Sequence, residues 1–348
     1  MSEQEAIGRY RLSERLGTGA FATVWLGYDD ELDAPVAVKV LADNWSHDAD
    51  VRARFVAEAR LLRRVRDQRV VRVHDIGTLP SGQPYFVMDY ADRGTVADLL
   101  AAGRLSPATG LRLGADIARA VQVLHDHGVA HRDIKPGNLL LTSGVDSTWS
   151  GAGLESVVIA DLGMAKSLSE ASGYTVTAGT PGYMAPEQAL GLGFDQRADV
   201  YAVAAVTYAL LTGRPPFPGR GLVEIADRAR TAVPPSLGLG PVIDDELRSA
   251  LAYDPDRRPG SAGELAVRLD RLLAGRTAED PAADLRSQLE QPPDHPGSAA
   301  TVPDRARLAV RTVSPQRPRR GQVGLVVGSF GLAVLAAAVT WLLLTVVA

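Results

Sequence analysis

The sequence predicts an α+β fold in two lobes, a small strand-rich lobe followed by a larger helical one. Three observations carry this. Runs of β-branched, aromatic and alternating apolar residues crowd the first part of the chain. A single stretch of helical period interrupts them, and after Thr95 the helical period dominates. The strand runs are 10–16, 23–28, 36–41, 70–78 and 85–90, and the interrupting helix covers 49–66. In the second lobe the clearest helical patterns are 107–125 and 199–211.

Composition bounds the function. The 348 residues are 46% hydrophobic, enough for a sizeable core, and carry a net charge of −4. A general nucleic-acid binder would carry a basic excess, so no nucleic-acid partner is expected. The chain has no cysteine. Disulfides, thiolate catalysis and cysteine-ligated metals are therefore excluded.

The two ends differ from the middle. Residues 1–9 form a polar tail without the apolar stretch of a secretory signal. One domain is expected over 10–274. Residues 275–321 hold seven prolines and no sustained apolar period, which predicts a Pro-rich disordered linker. No residue of 323–348 is charged. About 20 apolar residues span a bilayer core, so 322–348 is read as one C-terminal transmembrane helix rather than a buried core helix. Arg317, Arg319 and Arg320 stand just before it, and basic flanks favour the cytoplasmic side. The expectation is a single-pass anchor in the cell membrane, a cytoplasmic folded domain, and no sensor domain beyond the helix.

Gly17-Thr18-Gly19-Ala20-Phe21-Ala22-Thr23-Val24 joins two strand runs. Glycines let peptide N–H groups approach phosphate oxygens closely. Alone, this pattern fits an ordinary glycine hairpin equally well. A strand follows it, so it is not a dinucleotide-binding turn, which needs a helix there. Next, Lys39 interrupts the apolar run Val36-Ala37-Val38-Lys39-Val40-Leu41. A buried ammonium needs a partner. Val51, Phe55, Glu58, Leu62 and Val65 share one helical stripe, and Glu58 is its only acid. Lysine and acid each explain the other.

The segment His131-Arg132-Asp133-Ile134-Lys135-Pro136-Gly137-Asn138 follows a helix and reads as a loop. Phosphoryl transfer needs a group to orient the attacking hydroxyl, a cation for the transferred charge, and oxygen ligands for Mg²⁺. Asp133, Lys135 and Asn138 can supply these in turn. Asp161 then stands at the end of the apolar run Val157-Val158-Ile159-Ala160, a hard oxygen ligand of the kind Mg²⁺ takes.

In this order the motifs resemble the eukaryotic-like protein kinases, in particular the membrane-anchored serine/threonine branch of bacteria. Ala185-Pro186-Glu187, Asp199-Val200-Tyr201 and Arg258 complete the set. The resemblance covers 10–273. It implies the two-lobed protein kinase fold, with a small β-rich N-lobe and a larger α-helical C-lobe, and ATP with Mg²⁺ or Mn²⁺. Lys39, paired with Glu58, would contact the α/β-phosphates. Asp133 would orient the acceptor hydroxyl, Lys135 would neutralise charge, and Asn138 and Asp161 would hold the metal. The nucleotide site would use Gly17, Thr18, Gly19, Ala20, Phe21, Val24, Ala37 and Leu140, with Met88 as gatekeeper and Asp89 to Ala91 as hinge. His131 would be structural, Asp199 would brace the catalytic loop, and Glu187 and Arg258 would form a buried ion pair.

Two departures stand out. Asp-Leu-Gly replaces Asp-Phe-Gly at Asp161, and the stretch 141–156 is longer than the usual hairpin. The latter is read as a surface loop with no assigned role. Lys135 and Gly179-Thr180 resemble the serine/threonine type. The implied partners are proteins with serine or threonine acceptors. A second copy of the chain would phosphorylate the activation segment in trans, with Thr175 and Thr177 as candidate sites. The alternatives are a pseudokinase scaffold or binding module, which would have lost one of the four key polar residues, and a small-molecule phosphotransferase, which would lack Ala-Pro-Glu.

Overall fold

A computed structural model of the chain describes residues 6–103, 105–143, 156–162, 181–193, 195–217, 225 and 232–275. These lie in one compact unit, within residues 1–302. It opens with β1 (Ala6–Ile7), β2 (Tyr10–Thr18), β3 (Ala22–Asp29) and β4 (Ala34–Leu41). Then come α1 (Ala49–Arg64), β5 (Val73–Thr78) and β6 (Pro84–Asp89). The six strands form one antiparallel sheet in the order β1-β2-β3-β4-β6-β5.

Strand β4 sits inside this sheet and is covered on both faces, which is why it reads as an almost unbroken apolar run. Successive side chains point to opposite faces. Val36, Val38 and Val40 join one core with Tyr10, Leu12 and Val87. Ala37 and Leu41 join the other, which includes Phe55, Leu62 and Phe86. Lys39 falls on this second face by the same alternation. Helix α1 supplies that face with Val51, Phe55, Ala59 and Leu62, and Glu58 is buried among them. Asp48 caps α1 by accepting from Asp50 N and Val51 N, both at 3.0 Å.

The helical lobe contains α2 (Val96–Ala102), α3 (Pro107–Asp126), β7 (Leu139–Thr142), β8 (Ser156–Ile159), α4 (Pro186–Ala189), α5 (Arg197–Thr212), α6 (Pro241–Ala250) and α7 (Ala262–Ala274). α3 is buried along most of its length and packs on α5. A Cβ on Gly110 or Gly114 would meet Leu211 or Thr207 at 2.7 or 2.5 Å, so these glycines set how closely the two helices approach.

The structure revises several sequence expectations. Val70 and Val71 do not extend β5. Val71 N donates to Ile159 O at 2.9 Å, and Ile159 N donates to Arg69 O at 2.8 Å, so the segment is claimed by β8. Helix α1 stops at Arg64, because Val65 is extended. β1 lies in the stretch read as a tail, with Ile7 buried opposite Tyr10. Of the long loop at 141–156, Leu141, Thr142 and Ser156 belong to the β7–β8 ladder, while 144–155 lie outside the described residues. The transmembrane helix expected over 322–348 and the linker beyond Gly275 also lie outside them. Among the described residues no helix is long and apolar enough to cross a membrane.

Candidate active site

Lys39 Nζ donates to Glu58 Oε1 at 2.9 Å, fully inside the small lobe, and also donates to Asp161. Its register partner Phe86 and the α1 residue Phe55 flank the ammonium, with ring centroids at 5.4 and 6.0 Å. Burial alone would lower the Lys39 pKa, but the Asp161 and Glu58 carboxylates more than offset it and hold it above the ordinary value. Burial pushes the Glu58 carboxyl up to about 7, against the pull of Lys39. Burial would also raise Asp161, but Lys39 outweighs it and keeps that carboxyl below the usual range. A lone buried charge would be expensive, and the three groups satisfy one another.

The glycine loop is the turn between β2 and β3. Gly19 N donates to Ala22 O at 2.8 Å, and Ala20 and Phe21 form the tip. A Cβ on Gly17 would meet nothing within 4 Å, so the Gly17 and Thr18 backbone borders open space. Val24 stands opposite Lys39, and Ala37 opposite Met88. Leu140, half-buried, pairs with Val158 on β7–β8. Asp89 ends β6, and Ala91 follows in the passage to the helical lobe. The Asp89 carboxylate accepts from Arg72 N at 3.1 Å and lies 2.6 Å from His74 Nε2, so this side chain serves the sheet edge.

Asp199, in the first turn of α5, fixes the catalytic loop. Its carboxylate accepts from His131 N at 2.7 Å and Arg132 N at 2.8 Å. His125 Nε2 lies 3.0 Å from it. Gln188 Nε2 donates to Arg132 O at 2.6 Å. Arg132 and Asp161 have φ of +70° and +64°. Such left-handed backbone costs on the order of 1–3 kcal/mol in a non-glycine residue and persists only where surroundings enforce it. The bonds on either side of the Arg132 Cα do so. His131 is buried, with Nε2 3.1 Å from Ala160 O and Nδ1 accepting from Asp133 N at 3.3 Å. Both ring nitrogens are thus occupied within the fold.

Asp133 Oδ2 accepts from Lys135 Nζ at 2.8 Å and from Asn138 Nδ2 at 3.1 Å. Asn138 Nδ2 also donates to Asp133 O at 2.8 Å. The Asn138 amide nitrogen is committed to Asp133, which leaves its side-chain oxygen to offer lone pairs. Ala160 N donates to Asn138 O at 3.0 Å, and Leu139 pairs with Ile159, so Asn138 and Asp161 leave the β7–β8 ladder side by side. The Asp161 side chain is 51% exposed and can be reached from outside. Two hard oxygen donors of this kind suit a hard divalent cation that draws its remaining ligands from outside the protein.

Glu187 and Arg258 form a two-pronged buried pair at 2.7 and 2.8 Å. Arg258 also donates to the carbonyls of Ala252, Arg197 and Tyr253. Thr175, Thr177, Gly179 and Thr180 lie outside the described residues. Two supporting residues were missed from sequence. Gln188 carries no signal beyond its place after Glu187. His125 does: with Ile117, Val121 and Leu124 it falls on one apolar stripe, the argument that singled out Glu58.

A model of the family described as "Protein kinase domain" matches residues 10–266. Serine/threonine-protein kinase PknB of Mycolicibacterium smegmatis is 34% identical over 316 residues, covering 86% of this chain and 49% of its own length. Serine/threonine-protein kinase PknJ of Mycobacterium tuberculosis is 35% identical over 286 residues, covering 79% and 47%. The chain thus spans about half the length of these curated relatives. The crystal structure of the M. tuberculosis PknI kinase domain aligns with a TM-score of 0.60 at 28% identity, covering 79% of this chain and 99% of that one.

Proposed function

This chain belongs to the protein kinase domain family, and on that premise we propose that it is an ATP-dependent serine/threonine protein kinase. The observation that carries the reading is the pairing of two clusters. Lys39 is held between Glu58 and Asp161, and Asp133 is held between Lys135 and Asn138.

Each residue has a task in moving the γ-phosphoryl group to a protein hydroxyl. Lys39 binds the α/β-phosphate oxygens, and Glu58 keeps its ammonium in place. The glycine loop, residues 17–24, lays backbone N–H groups over the phosphates. Val24, Ala37, Met88 and Leu140 supply apolar surface for the base, and Asp89 to Ala91 its polar edge. Asp133 orients the acceptor hydroxyl and takes its proton. Lys135 brings positive charge to the transferred group. Asn138 and Asp161 hold Mg²⁺, or Mn²⁺ in its place. A divalent ion held there would supply charge neutralisation for the phosphates.

The serine/threonine class is supported by Lys135, by Gly179-Thr180, and by the names of PknB and PknJ. Membrane anchorage through 322–348, with the kinase domain in the cytoplasm, is supported by the uncharged stretch 323–348 and by Arg317, Arg319 and Arg320. Two copies confined to one surface meet often, which favours phosphorylation in trans at Thr175 and Thr177.

The test is incubation of the full chain with γ-labelled ATP, Mg²⁺ and a protein acceptor, followed by acid hydrolysis. Label in phosphoserine and phosphothreonine is expected. Label only in phosphotyrosine, or none in any protein, overturns the proposal.

A further inference from the structure

The tip of the glycine loop is tied to the segment that leads into α1. The rings of Phe21 and Trp45 meet with centroids 5.2 Å apart at a tilt of 33°. Trp45 Nε1 donates to Ala20 O at 3.0 Å, and Ala42 N donates to Phe21 O at 2.9 Å. Three contacts therefore hold Ala20 and Phe21 against residues 42–45. The same segment is bonded onward to α1. Asp48 N donates to Trp45 O at 3.2 Å, and Asp48 caps the helix. Arg52 Nη1 donates to Ser46 O at 3.0 Å and Gly82 O at 2.7 Å, pinning the first turn. Two turns further along, α1 presents Glu58 to Lys39.

Trp45 and Phe21 both pack at the margin of the main core, beside Val24. Trp45 is only half-buried and sits in a short 3-10 turn whose other members, Asp43 and Asn44, are exposed. Its one donor and its aromatic contact with Phe21 both go to the loop tip. A glycine loop is otherwise free to move, and freezing it on binding costs conformational entropy.

We propose that Trp45 is a positioning residue for the nucleotide. It latches the glycine loop to the start of α1, so that the loop is preorganised over the phosphates when Glu58 holds Lys39. This rests on the reading of residues 17–24 as a nucleotide loop. Losing the ring contact and the hydrogen bond together is expected to weaken ATP binding about tenfold.

The experiment measures ATP affinity by calorimetry with Mg²⁺, KM for ATP and for a protein acceptor, kcat, and Tm, all on the full chain. Trp45→Ala should raise Kd and KM for ATP about tenfold. KM for the acceptor should stay put, and kcat should change less than about threefold. Trp45→Phe keeps a ring but loses the donor, and should raise the ATP constants about threefold. In a Phe21→Leu background, which removes the ring partner, Trp45→Ala should weaken ATP binding less than it does in the parent, because the two rings share one contact. If Trp45→Ala does not fold, the Trp45→Phe variant decides. Parental ATP constants in the folded variants, with or without a lowered Tm, overturn the latch and leave the nucleotide reading standing. A parent chain that binds no ATP overturns both.

Discussion

Glu58 titrates far from where a carboxylate does in water, because burial disfavours its charge. With its pKa pushed from the ordinary 4.5 to about 7, it begins to protonate near neutrality. Only the ionised form pairs with Lys39, so kcat/KM for ATP should fall as pH drops through about 7. Glu58→Gln should be weak at every pH and lack that acid limb, and a parental limb in Glu58→Gln would contradict this. For stability the sign is opposite. A raised folded-state pKa means this group's contribution is fully present below about 4.5 and lost as pH rises through about 7. Lys39, Glu58, Asp133, Asn138 and Asp161 were legible in the sequence because each places a polar group where the local pattern is apolar or tightly turned. Trp45 was not. A half-buried aromatic in a short connection carries no periodicity, and its partner Ala20 O is a backbone atom that sequence does not distinguish.

At the scale of elements, α3 and α5 make the central contact of the helical lobe, and Gly114 decides how close they come. A Cβ there would stand 2.5 Å from Thr207 Oγ1, which donates to Val203 O within α5. Replacing glycine by alanine in a helix ordinarily gains about 0.5–1 kcal/mol. Overpacking a buried contact costs about 1–3 kcal/mol. Gly114→Ala should therefore lower stability in denaturant unfolding, and a stabilised variant would show that the helices separate without cost. Strands β2 to β6 and the helices α1, α3 and α5 were readable from their runs, because each keeps one pattern for several turns or pleats, whereas the two-residue β1 is too short to show one. Val70 and Val71 misled because apolar β-branched residues mark strand character without naming a partner, and Ile159 lies far along the chain. The short helix α4 and the β7–β8 ladder are too brief for periodicity to register. They were approached only through motifs.

At the scale of the whole molecule, the proposed anchor over 322–348 would tether the kinase domain to a membrane. A chain truncated at Gly275 should stay in the supernatant, and the full chain should sediment with membranes. Protease added outside intact cells should spare the kinase domain, and its digestion there would reverse the proposed topology. If copies so confined phosphorylate each other as proposed, the Thr175→Ala/Thr177→Ala variant should phosphorylate an added protein several-fold more slowly. Unchanged activity and an unchanged phosphosite pattern elsewhere would remove these threonines from regulation. The expected linker and membrane span rest on composition alone, on prolines and the lack of charge, and lie outside the described residues. The central claim is that Asp133 serves the transfer step in a site that Lys39 and the metal ligands fill with ATP. The most direct measurement compares Asp133→Asn with the parent in ATP binding and in phosphoryl transfer on the full chain. ATP affinity should stay within about threefold of the parent, and transfer should slow on the order of 100-fold or more. Transfer at the parental rate by a folded, ATP-binding Asp133→Asn chain would contradict it.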